Sequence, residues 1–118
     1  MGELAELLTE AGRQWEPDLR RRLQGMLGSI FQAYLPQTWV FRTEKQVATF
    51  RVEKDGSVAV TEGAAPGPDV TVEVPLRRLA TALRAQSRDA IPAGELKVTP
   101  HTSKGKTAFD YLRSRLGL

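Results

Sequence analysis

The chain carries a single histidine, His101, and no cysteine. One imidazole cannot assemble a multi-histidine metal site, and the lack of thiols removes disulfides, a thiol nucleophile and thiolate metal ligands. His101 stands in Pro100-His101-Thr102-Ser103, close to a hydroxyl that it could in principle activate. Nucleophilic catalysis also needs an orienting acid and a geometry that neighbours in one loop rarely present. The pattern reads instead as a loop histidine beside a helix cap. The carboxylates form no acid/base pair, because Asp55 belongs to an Asp-Gly turn and Glu53, Asp69 and Glu73 fall on the wet side of alternating segments. Ser103-Lys104-Gly105-Lys106-Thr107 shares residue types with phosphate loops but lacks the upstream glycine such a loop needs. Lys104 and Lys106 remain as candidate anion ligands, since free N–H groups at a helix start attract negative charge. No catalytic residue, metal site or cofactor is expected, and the chain reads as a binder rather than an enzyme.

Any such site needs elements to hold it. A chain of 118 residues has the length of one domain with one hydrophobic core, so residues 1–118 are read as a single unit. Its 41% apolar and 26% charged residues are values of a folded globular chain. No apolar run approaches the roughly 20 residues of a membrane span. The start Met1-Gly2-Glu3-Leu4-Ala5-Glu6 is acidic where a signal peptide opens with cations. A cytoplasmic protein without stable membrane insertion is expected. The net charge is +3 and the densest basic run is Arg20-Arg21-Arg22, too modest to make nucleic acid the expected partner.

Periodicity places the elements. Leu4, Leu7, Leu8, Ala11 and Trp15 recur at helical spacing. Pro17 is expected to end that helix and to open a second, whose stripe is Leu19, Leu23, Met26, Leu27, Ile30 and Tyr34. Residues 1–35 are therefore a helical segment. From Thr38 the period becomes two. Trp39-Val40-Phe41 is a short strand, and Ala48, Phe50 and Val52 alternate into the Asp55-Gly56 hairpin turn. Val58 and Val60 follow, then Val70, Val72 and Val74. Pro75 opens a helix with Leu76, Leu79, Ala80 and Leu83 inward. Leu96 and Val98 form a last strand, and Thr102 or Ser103 caps a terminal helix whose inner face is Ala108, Phe109, Leu112 and Leu116. The fold class is α+β, with strands wet on one face and packed on the other in a largely antiparallel sheet.

This order of elements resembles the sterol carrier protein type 2 family, the non-specific lipid-transfer proteins. Four stretches carry the resemblance: Phe50-Arg51-Val52-Glu53-Lys54-Asp55-Gly56, Asp69-Val70-Thr71-Val72-Glu73-Val74, Leu76 to Leu83, and Gly94-Glu95-Leu96-Lys97-Val98. They resemble, in turn, the family's second strand and glycine turn, its fourth strand, the helix after it and the last strand. The resemblance covers roughly residues 38–118. It implies a five-stranded, largely antiparallel sheet covered on one face by helices, with an apolar tunnel between them for fatty acyl chains, sterols or other lipids. Trp39, Phe41, Phe50, Leu79, Leu83, Ile91, Phe109 and Leu112 are then the cavity candidates. By periodicity alone the inward residues are simply the core.

Three readings stand at this point. The first is a binding or carrier protein for an apolar small molecule or lipid. The second is an interaction module with a filled core, pairing with itself or a protein partner through residues 1–16. The third is an anion or nucleic-acid binder using Arg20, Arg21, Arg22, Lys104 and Lys106.

Overall fold

The structure is a computed structural model that describes residues 2–26, 28–85 and 91–112. Its first element, α1 (Glu3–Gln24), buries Leu4, Ala5, Leu7, Leu8 and Ala11. Its start is held by side chains from elsewhere in the chain: the Leu4 N–H donates to Gln46 Oε1 at 2.7 Å and the Gly2 N–H to Glu62. The break expected at Pro17 does not occur, and α1 runs through it. Proline removes one helix N–H and crowds the carbonyl four residues back. Arg13 and Pro17 are both exposed, so water can serve that carbonyl. The interruption comes instead at Gly25, whose N–H returns to the Arg22 carbonyl, before a short α2 (Gly28–Gln32).

Five strands follow: β1 (Gln37–Arg42), β2 (Val47–Val52), β3 (Val58–Glu62), β4 (Val70–Glu73) and β5 (Lys97–Pro100). Their order in the sheet is β3-β2-β1-β4-β5. All neighbours are antiparallel except β1 and β4, which run parallel. The β2–β3 turn is the one the Asp-Gly pair predicts. Gly56 sits at φ +86°, and Asp55 accepts from both the Ser57 hydroxyl and the Ser57 N–H. Between β4 and β5 lies α3 (Leu76–Ala85), its first N–H received by Glu44 Oε2 at 3.1 Å. After β5 comes α4 (Ser103–Leu112), capped by Thr102, whose Oγ1 accepts the Gly105 N–H at 2.9 Å. The expected α+β architecture, a largely antiparallel five-stranded sheet with helices packed on it, is what the chain adopts.

Strand register sorts the inward side chains into rows. Gln37 pairs with Val52, and Val52 with Val58. One step along, Trp39 pairs with Phe50 and Val70, and Phe50 with Val60. A further step sets Phe41 between Ala48 and Val72. Leu4, Leu7, Leu8 and Ala11 from α1, Leu79, Ala82 and Leu83 from α3, and Phe109 from α4 close over these rows in one buried cluster. The α1 stripe is thus spent on the chain's own core, and among the described residues of the 1–16 segment Leu4, Leu7, Leu8 and Ala11 form no free apolar face.

Asp69 corrects the wet-strand reading. It is 6% exposed, its Oδ2 accepts the Thr38 N–H at 2.9 Å, and its Oδ1 accepts the Thr102 hydroxyl at 2.9 Å. The partners lie far away in sequence, so alternation alone could not reveal them. Through Thr102, Asp69 ties the start of α4 to the edge between β1 and β4.

Candidate functional site

The site is built where the end of α1, α2 and the loop after it meet the end row of the sheet and α4. Leu19, Arg22 and Leu23 come from α1, Ile30 and Phe31 from α2, and Tyr34 and Leu35 from the loop before β1. The floor is the end row of the sheet, Gln37 and Val52, and the far wall is Thr107, Ala108 and Tyr111 of α4. Together they bound an apolar groove of about 140 Å³. Ile30 and Tyr111 at its rim stand partly in water, 56% and 47% exposed. An apolar side chain left in water forfeits on the order of 1.5–3 kcal/mol that burial would return.

Three helices meet at the mouth through Tyr111. The Phe31 and Tyr111 rings lie 5.5 Å apart, tilted by 45°. The Arg22 guanidinium sits 5.7 Å from the Tyr111 ring centroid, donates to its hydroxyl, and pairs with Asp18 at 3.2 Å one turn back. Arg22 therefore belongs to the groove, whereas Arg20 and Arg21 are exposed.

The sequence-derived cavity candidates lie elsewhere. Trp39, Phe41, Phe50, Leu79, Leu83, Ile91 and Phe109 are all buried in the core cluster, and none of them lines the groove. At their level the rings of the core contact one another. Trp39 stacks on Phe50 at 6.0 Å and meets the edge of Phe109 at 5.2 Å, and Phe41 meets Phe50 at 6.4 Å. The side chain of Leu112 lies outside the described residues. Leu19, Leu23, Ile30 and Tyr34 of the sequence-derived stripe line the groove, whereas Met26 of the same stripe is fully exposed.

The anion candidates do not converge. The Lys104 ammonium donates to the Pro36 carbonyl at 2.9 Å and lies 3.9 Å from Asp69, while Lys106 pairs with Asp110 at 3.8 Å. Two residues apart on a helix, they face different ways. The Gly105 and Lys106 N–H groups are already taken by Thr102. His101 faces the other side of the sheet, its Nε2 2.8 Å from Thr71 Oγ1. Among the described residues no three metal-ligating side chains come together. No helix among them is long and apolar enough to cross a membrane.

No family model matches the chain, and no curated protein matches its sequence. Solved structures do match its shape. The UbiJ-SCP2 ubiquinone synthesis protein superimposes with a TM-score of 0.53 at 16% identity, over 91% of this chain and 94% of that one. The sterol carrier protein domain 2 of Helicoverpa armigera gives 0.51 at 13% identity, over 96% and 87%. The fold is that of sterol carrier protein 2. The stereoselective inverting sec-alkylsulfatase Pisa1 of Pseudomonas sp. also overlaps, with a TM-score of 0.48 at 20% identity over 65% of this chain. This chain spans 13% of that protein's length. Within the sterol carrier fold adopted here, the core rings occupy the layer between sheet and helices, and the apolar opening sits one sheet row further out, under α2 and the end of α4.

Proposed function

We propose that the chain binds one apolar chain of a lipid in the groove between α1, α2 and α4, as a carrier or presenting module and not as an enzyme. The observation that carries this reading is the groove itself, its surface almost wholly apolar apart from Arg22 at the mouth and Gln37 in the floor, and not closed by any described residue of the chain. Its volume of about 140 Å³ is below the roughly 300 Å³ at which pockets begin to enclose a whole ligand. A single fatty acyl or prenyl chain, inserted by one end, suits that size better than a rigid ring system such as a sterol. The fold supports the reading by analogy, since sterol carrier proteins are among its structural neighbours. The commitment of His101 to Thr71 supports a binding role over a catalytic one.

Purification without detergent followed by native mass spectrometry tests the proposal. A bound mass of lipid size that leaves on denaturation, and is recovered by extraction, supports it. A bare mass together with no uptake of a fluorescent fatty acid refutes it.

A further inference from the structure

The groove and the core are one layer with a wall between them. Gln37 and Trp39 lie two residues apart on β1 and so project to the same face of the sheet. Gln37 lines the groove, whereas Trp39 lies in the core behind it. Nothing else on that face of β1 separates the two spaces.

Gln37 is an unusual residue for the end of an apolar groove. It is 1% exposed, yet both of its N–H donors and its carbonyl oxygen are engaged. Its Nε2 donates to the Tyr34 carbonyl at 2.6 Å and to the Lys104 carbonyl at 3.2 Å. Its Oε1 accepts the Trp39 indole N–H at 2.9 Å. One carboxamide thus joins the loop after α2, the first turn of α4 and the core tryptophan. Swinging it aside would strand the buried indole N–H and break two part-buried hydrogen bonds, a far larger cost than shifting a leucine. Behind it the indole is clamped between Phe50 and Phe109.

We propose that Gln37, backed by Trp39, is the stop that sets how much of an apolar chain this protein accepts. This specificity role rests on the binding function proposed above. Each methylene that enters an apolar site raises affinity roughly fourfold. That gain continues until the chain end reaches Gln37, and then ends, because the next methylene meets a carboxamide that cannot move.

The test is a homologous series of straight-chain primary alcohols, with affinity measured by displacement of a fluorescent fatty acid. In the wild type, affinity rises with each carbon and then reaches a plateau. In Gln37→Ala the plateau begins at longer chains. In Gln37→Met, which keeps the bulk and discards the hydrogen bonds that hold it, the plateau also moves to longer chains, by less than in Gln37→Ala, while the melting temperature falls. A plateau at the same length in folded Gln37→Ala overturns the proposal. A second measurement needs no change at the stop. In Trp15→Phe, Trp39 is the remaining indole, and an alcohol brominated at its terminal carbon quenches it more than one brominated next to the hydroxyl. Equal quenching overturns the proposal as well. Failure of the wild type to take up any alcohol overturns the binding function itself, a result distinct from an unshifted plateau.

Discussion

Gly105→Ala asks whether α4, which supplies one wall of the groove, is seated by backbone contact. A Cβ at Gly105 would lie 2.4 Å from the Asp69 carbonyl oxygen and 2.9 Å from its carbon. Ordinary contact starts at 3.4 Å, so the first turn of α4 would have to retreat by roughly 1 Å from a strand end that cannot give way. Helix propensity acts in the opposite direction, favouring alanine over glycine by about 1 kcal/mol. Overpacking a tight contact costs about 1–3 kcal/mol. The same retreat stretches the Thr102–Asp69 and Gln37–Lys104 hydrogen bonds, each worth about 1 kcal/mol net. The clash wins, and the net loss is about 1–3 kcal/mol. For a domain of this length that lowers the melting temperature on the order of 5–10 °C. Thermal unfolding followed by circular dichroism, with a urea titration alongside, reads the change. A melting temperature equal to or above that of the wild type would refute the reasoning, because it would mean propensity decides and the contact is not tight.

Leu8 is fully buried in the cluster under α1. Leu8→Ala should cost about 2–5 kcal/mol, and removal of residues 1–16 should unfold the chain; a folded, monomeric remnant would restore the view of that helix as a detachable interface. Ala108 faces the groove from α4, so Ala108→Phe should abolish uptake of a fluorescent fatty acid and leave the circular dichroism spectrum unchanged, whereas uptake at the wild-type level would place the ligand elsewhere. The Asp55 carboxyl is held below its ordinary 3.8, chiefly by the Ser57 hydroxyl and then by the Ser57 N–H. A group whose folded pKa is depressed stabilises the fold fully above its ordinary pKa and loses that contribution as the pH falls through the lower folded value. Asp55→Asn should therefore flatten part of the acid-side decline in stability, and an NMR titration midpoint for Asp55 at or above 3.8 would contradict the turn geometry.

Much of the fold was legible because its causes are short-range. The Asp55-Gly56 turn appears where its residues require it, since positive φ and the Asp55–Ser57 hydrogen bonds are decided within a few residues. The residues that face the core along β1, β2 and β4 follow from alternation, and α3 from the spacing of Leu76, Leu79 and Leu83. The opposite face is not wet as alternation predicts, since Thr38, Val40 and Thr49 are buried there. Pro17 misled because a proline's cost in a helix depends on whether its orphaned carbonyl reaches water, which is a property of the whole surface. Asp69 misled for a related reason. Its neighbours in sequence look like a wet strand, and its burial is set by Thr38, Thr102 and Lys104.

The candidate site lay near the limit of such reading. Sequence alone determined that Trp39, Phe41, Phe50 and Phe109 face inward, and that cysteine- and multi-histidine-based chemistry is out of reach. It could not distinguish a filled layer from an open one, because facing inward is a property of each strand and filling a volume is a property of how all the elements meet. Only the tertiary structure decided that the rings of Trp39, Phe50 and Phe109 close on one another, that β4 returns parallel to β1, and that α1, α2 and α4 meet in a groove at the end row of the sheet. Periodicity acts along the chain, whereas a groove is made by elements that are distant in sequence, and its walls come together only when the long-range contacts form.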